Sequence, residues 1–169
     1  MKASTTALSA ALLGIAVIST PATAATRYRV QWDQGGPACQ LSVPTTASQV
    51  RPRATGMRNE GTGSEFVICQ YPSTSSAFGS AYLYIQSIDG ANHAVQCTGM
   101  RGGAINEDAR YSTKSEQTQT GSYGELSWFP IDFGATGDFG SSMFSVTCVL
   151  PPGASIIAIE ADYSEDVGS

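Results

Sequence analysis

The segment Ala81-Tyr-Leu-Tyr-Ile-Gln-Ser-Ile-Asp89 carries the clearest strand signal of the sequence. Side chains alternate between the two faces of an extended chain, so Leu83 and Ile85 share one face of this segment. Tyr82 and Tyr84 share the other face. The alternation predicts a β-strand with one aliphatic face and one aromatic face.

The sequence on either side repeats this strand signal and gives no helical one. Asp89-Gly90 is a typical hairpin turn, and a returning strand is expected directly after it. Strand-like runs lie at 27–32, 66–71, 81–89, 94–100, 125–129, 143–150 and 155–163, separated by stretches rich in Gly and Pro. The pattern predicts about seven to nine strands in an all-β, antiparallel β-sandwich. We expect 45–63 to be a surface loop and 107–120 to be a long loop or an edge strand.

The first 24 residues have the organisation of a secretory signal peptide. Lys2 provides the positive start, an apolar run follows at 7–18, and Ala22-Thr-Ala24 is a small-x-small cleavage site. The run is shorter than the ~20 apolar residues that span a bilayer. We therefore expect export to the periplasm or the extracellular space, with 25–169 forming a single sandwich domain.

Four cysteines, an even number, fit a disulfide framework in an exported chain. They allow three pairings, of which Cys39–Cys69 together with Cys97–Cys148 is favoured. Cys97 and Cys148 each lie in the middle of a strand, and inward positions on facing strands come within bonding distance. No Cys-x-x-Cys motif occurs and the chain has one histidine, which argues against a zinc site.

Composition and charge exclude several classes of protein. Charged residues make up 14% and hydrophobic residues 41% of the 169 residues, which is typical of a folded chain and not of a disordered one. The net charge of −5 argues against a nucleic-acid partner, which requires a basic surface. No cofactor-binding motif is present, and no cofactor is expected.

Three cysteine-containing stretches resemble a group of small exported bacterial proteins that are largely uncharacterised. The stretches are Val67-Ile-Cys69 before Pro72, Val95-Gln-Cys97 after a strand that ends at Asp89, and Ser145-Val-Thr-Cys-Val-Leu-Pro151. The group has Cys-Pro directly, whereas Gln70 and Tyr71 separate the two residues here. The resemblance covers residues 56–163 and implies a cysteine-stapled, jelly-roll-like sandwich. It implies no activity.

Candidates for histidine catalysis are sparse. His93 is the one histidine, and a triad would need Asp89 or Asp132 to orient it. No Gly-x-Ser-x-Gly elbow accompanies it. The favoured interpretation is a surface or hydrogen-bonded histidine next to a turn.

Carboxylate pairs could serve a hydrolase or a calcium site. Glu107-Asp108 is adjacent in a polar stretch, and Glu160 and Asp162 share the face of the last strand opposite Ile157 and Ile159. The acidic groups at 132–138 and 160–166 lack the spacing of an EF-hand loop. Solvated acidic side chains are the favoured interpretation of all of them.

Exposed aromatic side chains could stack on a sugar. Four candidates are Trp32, Tyr82, Tyr84 and Trp128, and the competing interpretation is that they pack in the core. With no catalytic constellation in the sequence, we expect a non-enzymatic exported domain with a structural role or a role in surface or protein interaction. The alternative is a carbohydrate-binding module, and a carboxylate-based hydrolase comes third. The expected partner is a glycan or a protein at the cell surface.

Overall fold

A computed structural model describes residues 25–42, 49–74, 76–103 and 108–168, and it is an antiparallel β-sandwich. Two sheets pack together around one hydrophobic core. The all-β fold class is therefore confirmed. The signal peptide predicted at 1–24 lies outside the described residues and stays a prediction.

Eleven strands are described, more than the seven to nine that the sequence predicts. A single α-helical turn, α1 (Gly35–Ala38), and a 3-10 turn, Pro130–Phe133, are the helical pieces of the described residues. The strands are β1 (Thr26–Gln34), β2 (Cys39–Leu41), β3 (Val50–Arg53), β4 (Gly56–Asn59), β5 (Glu65–Gln70), β6 (Phe78–Ser87), β7 (Ala94–Arg101), β8 (Arg110–Gln117), β9 (Gly124–Trp128), β10 (Phe144–Leu150) and β11 (Ala154–Asp166).

The strands form two sheets in which every pair is antiparallel. The six-stranded sheet runs β3-β4-β11-β6-β9, and β1 also pairs with β11. The five-stranded sheet runs β2-β5-β10-β7-β8. Strand β11 is the centre of the six-stranded sheet, because β6 pairs with it along one side while β4 and then β1 pair with it along the other.

A bulge in β11 lies where its partner changes from β4 to β1. Ile156 pairs with Met57 of β4 and Ala158 pairs with Gln34 of β1, and the register shifts between them, at Ile157. One extra residue moves all later side chains to the opposite face. Ile159 therefore faces the core, as Ile156 does, although the two are an odd number of residues apart.

Two glycines allow other backbone segments to approach this bulge. A Cβ atom at Gly35, the first residue of α1, would overlap the Ile156 carbonyl group. A Cβ atom at Gly56, which has a φ of 132°, would overlap the same carbonyl oxygen and crowd Ile157. Both positions therefore require glycine, because the backbone passes too close for any side chain.

Part of the core is a cluster of aromatic rings with Phe144 at its centre. Trp128 is fully buried within the same cluster, and its indole N–H donates to the carbonyl of Ser112 at 3.0 Å. Gly99 leaves room there, since a Cβ atom would crowd both rings. The Phe144 ring packs against five aromatic rings, with centroids 5.0 to 6.5 Å away: Tyr71, Phe78, Trp128, Phe133 and Phe139.

Both favoured disulfide pairings are confirmed. Cys39 bonds to Cys69 between β2 and β5, and Cys97 bonds to Cys148 between β7 and β10. In each case the two residues are direct cross-strand partners. The bridges therefore lie within the five-stranded sheet and do not connect the two sheets, which are held together by the hydrophobic core. In the chain-entropy interpretation each bridge stabilises the fold by about 3–4 kcal/mol.

Two local expectations need correction, and for a third stretch one of the two expected alternatives is confirmed. The stretch 45–63 is not a plain loop, because its described part contains β3 and β4, a hairpin whose edge strand carries Pro52. The described part of the stretch 107–120 contains β8, which is the edge strand that was one of the two expected alternatives. Ile157 does not share the inward face with Ile159, because it occupies the bulge and Ile156 takes the buried position.

Replacing Gly35 by alanine should destabilise the fold. The added methyl group displaces the backbone of β11 at its bulge, and overpacking of this kind costs about 1–3 kcal/mol. Urea unfolding followed by tryptophan fluorescence measures the change. Gly63→Ala is the control, since no atom lies within 4 Å of its Cβ position, and a loss of stability as large as that of Gly35→Ala would contradict the packing argument.

Replacing Phe144 by alanine should remove the centre of the aromatic core. We expect a loss of about 3–5 kcal/mol, because a cavity remains where five rings met. Phe66→Ala is the matched control, since the Phe66 side chain is 56% exposed and its loss should stay within about 0.5 kcal/mol. Equal effects of the two substitutions in a thermal or urea melt would contradict this account of the core.

Candidate functional site: an aromatic and acidic sheet face

The outward face of the six-stranded sheet gathers large exposed side chains. Cross-strand pairing puts Trp32 of β1 opposite Glu160 of β11, and Glu160 opposite Tyr82 of β6. Tyr82 in turn faces Ser127 of β9. Directly paired residues share a face, so these positions define the outward side across four adjacent strands. We call its six aromatic residues the aromatic platform: Tyr28, Trp32, Tyr82, Tyr84, Tyr123 and Phe129.

The centre of the aromatic platform is a row of three rings. The Trp32 indole stacks on Tyr84 with ring centroids 5.1 Å apart and an interplanar angle of 17°. Tyr123 packs edge-on against the same tyrosine at 5.2 Å. Trp32 and Tyr84 lie two strands apart and meet diagonally across β11, where Trp32 is paired with Glu160 and Tyr84 with Ala158. Tyr84 is consequently buried between its neighbours, whereas Trp32 is 57% exposed, with one indole face on Tyr84.

A second row of side chains runs beside the first. The Asp162 carboxylate beside the Tyr28 hydroxyl is the main reason that the pKa of Tyr28 is raised to about 12. Ser80 donates to Asp162 at 2.7 Å. Tyr82 and Phe129 pack edge-to-face at 6.0 Å. The row therefore combines exposed rings at both ends with a hydrogen-bonded carboxylate between them.

Three carboxylates lie among the rings of the aromatic platform. Glu160 accepts a hydrogen bond from the Tyr84 hydroxyl, and Glu125 is the cross-strand partner of Tyr84 on β9. Burial, and next the bond to Glu160, raise the pKa of Tyr84. Asp162 is the third carboxylate. Since the pKa values of Tyr28 and Tyr84 are both raised, these phenols are neutral at physiological pH and can donate hydrogen bonds.

The platform carries negative charge without a basic partner among the described residues. The four described ion pairs are Arg29–Glu165, Arg53–Glu60, His93–Asp89 and Lys114–Asp132, and none involves a platform carboxylate. The outward positions of β1 in this region are Tyr28, Val30 and Trp32. Lys114 lies 5.9 Å from the Phe129 ring centroid, but Asp132 neutralises it. No described ion pair therefore neutralises the three carboxylates of the platform.

The structure brings together three of the four predicted stacking residues. Trp32, Tyr82 and Tyr84 share the platform, whereas Trp128 points to the opposite face of the sheet and is part of the core. The alternation of β9 explains this, because Ser127 and Glu125 occupy its outward positions. Sequence reasoning missed Tyr28, which alternates in phase with Trp32 along β1. It also missed Tyr123, which joins the platform at one end of β9, as Phe129 does at the other.

The histidine site forms a pair and not a triad. His93 Nε2 lies 2.8 Å from Asp89 Oδ1, across the turn between β6 and β7. The Ser87 hydroxyl donates to the same carboxylate oxygen at 3.0 Å, so this serine bonds to the acid and not to the base. Asp132 is bound by Lys114 and by the Phe129 N–H. The arrangement that activates a serine is therefore absent from these described groups.

The acidic candidates for metal binding are dispersed over the fold. Glu165 pairs with Arg29, whereas Glu160 and Asp162 bond to Tyr84 and Ser80 on the outward face. Glu107 lies outside the described residues. Within the described part of the chain, no group of three or more His, Cys, Asp or Glu side chains is placed to hold a metal ion.

Comparison with known protein families, with curated proteins and with solved structures finds no match to this chain. The fold therefore defines the protein as a disulfide-bonded antiparallel β-sandwich, and the function has to be argued from its surface. In the part of the chain that the structure describes, no helix has the length and hydrophobicity to span a membrane.

Lowering the pH should reduce the free energy of unfolding, in part because Asp89 becomes protonated. The hydrogen bonds from His93 first, and then from the Ala91 N–H, lower the pKa of Asp89 from its usual 3.8 to about 2. A depressed carboxyl pKa stabilises the folded state above the unfolded value, and this contribution is lost as the pH falls through the folded value. Asp89→Asn should therefore lose less stability than wild type between about pH 4 and pH 2.

Urea midpoints measured across this pH range test the contribution of Asp89. Asp138→Asn removes a carboxylate from another exposed turn, where Gly140 donates to it, and serves as the control. Identical slopes of stability against pH for wild type and Asp89→Asn would contradict the assigned role of the His93–Asp89 pair.

Proposed function

We propose that this protein is an exported, non-enzymatic domain that binds polysaccharide on its aromatic platform. The observation that carries the proposal is the Trp32 indole, one face of which packs on Tyr84 while 57% of the residue stays exposed. A sugar ring presents an apolar face of C–H groups, which stacks on an aromatic ring of this kind. Because Tyr84 already holds the indole, little conformational entropy is lost when a sugar binds.

The polar groups around Trp32 fit the hydroxyl groups of a sugar. Carboxylates accept hydrogen bonds, and neutral tyrosine hydroxyls both donate and accept them. Glu160 lies directly opposite Trp32 on β11, and Glu125 and Tyr28 flank the row of rings. Few and well-placed polar groups next to an apolar surface are typical of ligand sites.

The shape of the face favours a chain of sugars over a small metabolite. The platform crosses four adjacent strands, from β1 to β9, which is about 14 Å at the usual strand spacing. Its exposed rings lie on an open sheet and not in a closed pocket. An extended oligosaccharide can contact Trp32, Tyr82 and Phe129 together, whereas a single ring cannot.

The two disulfides and the sequence of 1–24 support the exported location. Disulfides form and persist in oxidising compartments, which are the places where polysaccharides of the cell envelope or surroundings are met. The sequence favours first a structural role or a role in surface or protein interaction, and second the binding of carbohydrate. The exposed platform favours glycan binding over a structural role, because an unpartnered aromatic patch of this kind marks an interaction surface.

Retention on insoluble polysaccharides tests the proposal. The mature protein is mixed with chitin, cellulose and cell-wall glycan, and the bound fraction is measured as a function of concentration. We expect Trp32→Ala to weaken retention by about tenfold, since stacking of this strength is worth about 1 kcal/mol or more. Thermal melting checks that the variant is folded.

Phe66→Ala is the matched control for the loss of an exposed ring. Phe66 is 56% exposed, close to the value for Trp32, but it lies on β5 in the five-stranded sheet. Its substitution should leave retention unchanged. Absence of retention of the wild type on every polysaccharide would refute the proposal and would favour a protein partner for the same face.

A further inference from the structure

We propose that the aromatic platform selects polysaccharides of cationic amino sugars, that is, chains containing free 2-amino-2-deoxyhexose units. This inference rests on the proposed function and adds the substrate class. It is carried by the charges next to the stacking residue. Glu160 is the cross-strand partner of Trp32, and Glu125 is the cross-strand partner of Tyr84 on the other side of the row.

The carboxylates of the platform are placed for an ammonium group. One oxygen of Glu160 accepts a hydrogen bond from the Tyr84 hydroxyl, which fixes the carboxylate beside the row of rings. The other oxygen has acceptor capacity for a ligand. Glu125 is exposed and Asp162 is buried beneath the second row, so one carboxylate can contact a ligand directly and the other strengthens the negative field.

The surroundings give these charges no basic partner within the described residues. The described ion pairs all involve other acids. The outward positions opposite the carboxylates are filled by neutral side chains, with Trp32 and Tyr82 beside Glu160, and Ser80 and Val30 beside Asp162. A uronic acid chain would bring further negative charge to this face and is disfavoured.

The indole adds a second attraction for the same ligand. A cation placed over an aromatic face within about 6 Å is attracted by the ring, and tryptophan is the strongest partner. An ammonium group on the sugar that stacks on Trp32 meets the ring and the Glu160 carboxylate together. A neutral sugar gains the stacking alone, and an N-acetylated one has lost the charge.

Calorimetric titration with defined tetrasaccharides tests the inference. The probes are the tetramers of glucosamine, N-acetylglucosamine, glucose and galacturonic acid. We expect the glucosamine tetramer to bind roughly tenfold more tightly than the two neutral ones, and the preference to shrink at high salt. The galacturonate tetramer should bind most weakly of the four.

Glu160→Gln separates charge from shape. Glutamine keeps an oxygen that accepts a hydrogen bond from the Tyr84 hydroxyl, but it carries no charge, so the ratio of the glucosamine affinity to the neutral-tetramer affinity should fall about fivefold. Glu65→Gln on β5 is the control and should change nothing. If Glu160→Gln does not fold, Glu125→Gln, at an exposed position, gives the same test with a smaller expected change.

The outcomes separate this inference from the proposed function. Equal binding of the charged and neutral tetramers, or a preference that survives Glu160→Gln and Glu125→Gln, overturns the amino-sugar selectivity and leaves glycan binding intact. Binding of none of the four tetramers, together with no retention on insoluble polysaccharide, overturns both. A glucosamine preference that falls in Glu160→Gln and persists in Glu65→Gln supports both.

Discussion

The bulge at Ile157 decides which side chains of β11 face the core and which face solvent. Before it, Ile156 faces inward; after it, Ile159 and Ala161 do. Without the extra residue, Glu160 would point into the core, where an unpaired carboxylate is strongly unfavourable. Gly35 and Gly56 let the neighbouring backbone close around the bulge, so the position of this single residue is fixed by packing from two sides.

The stabilising features of the fold lie away from the proposed binding face. The aromatic cluster around Phe144 fills the space between the sheets, and both disulfides lie within the five-stranded sheet. The outward face of the six-stranded sheet therefore contains neither the aromatic cluster nor a disulfide. It presents exposed rings and carboxylates, which is the usual division between a scaffold and the site that it carries.

Aromatic rings and acids on the aromatic platform also depend on one another. Glu160 accepts a hydrogen bond from the Tyr84 hydroxyl, Tyr84 supports the Trp32 indole, and Asp162 raises the pKa of Tyr28. Removing one acid affects a ring as well as the local charge, which is why an isosteric amide is the informative substitution. The same coupling orients Trp32 before a ligand arrives, and pre-orientation of this kind reduces the entropic cost of binding.

The sequence by itself indicated the fold class and the approximate positions of most strands, and of the three possible disulfide pairings it favoured the one that the structure contains. Period-two alternation and Gly or Pro punctuation are local signals, and they are readable wherever a strand has one buried face, as at Tyr82 to Ile85. The β3–β4 hairpin was not predicted, because its exposed Arg and Pro residues give no such alternation. Alternation also identified Tyr82 and Tyr84 as partners on one face.

Only the tertiary structure decided which aromatic residues meet. Trp32 and Tyr84 are far apart in sequence and two strands apart in the sheet, so their stacking depends on β11 lying between β1 and β6. Trp128 and Phe129 are adjacent in sequence yet lie in the core and on the platform, respectively, because neighbouring residues of a strand point to opposite faces. Sequence gives the alternation, but which face is buried is set by the sheet that packs against it, and that is a property of the whole chain.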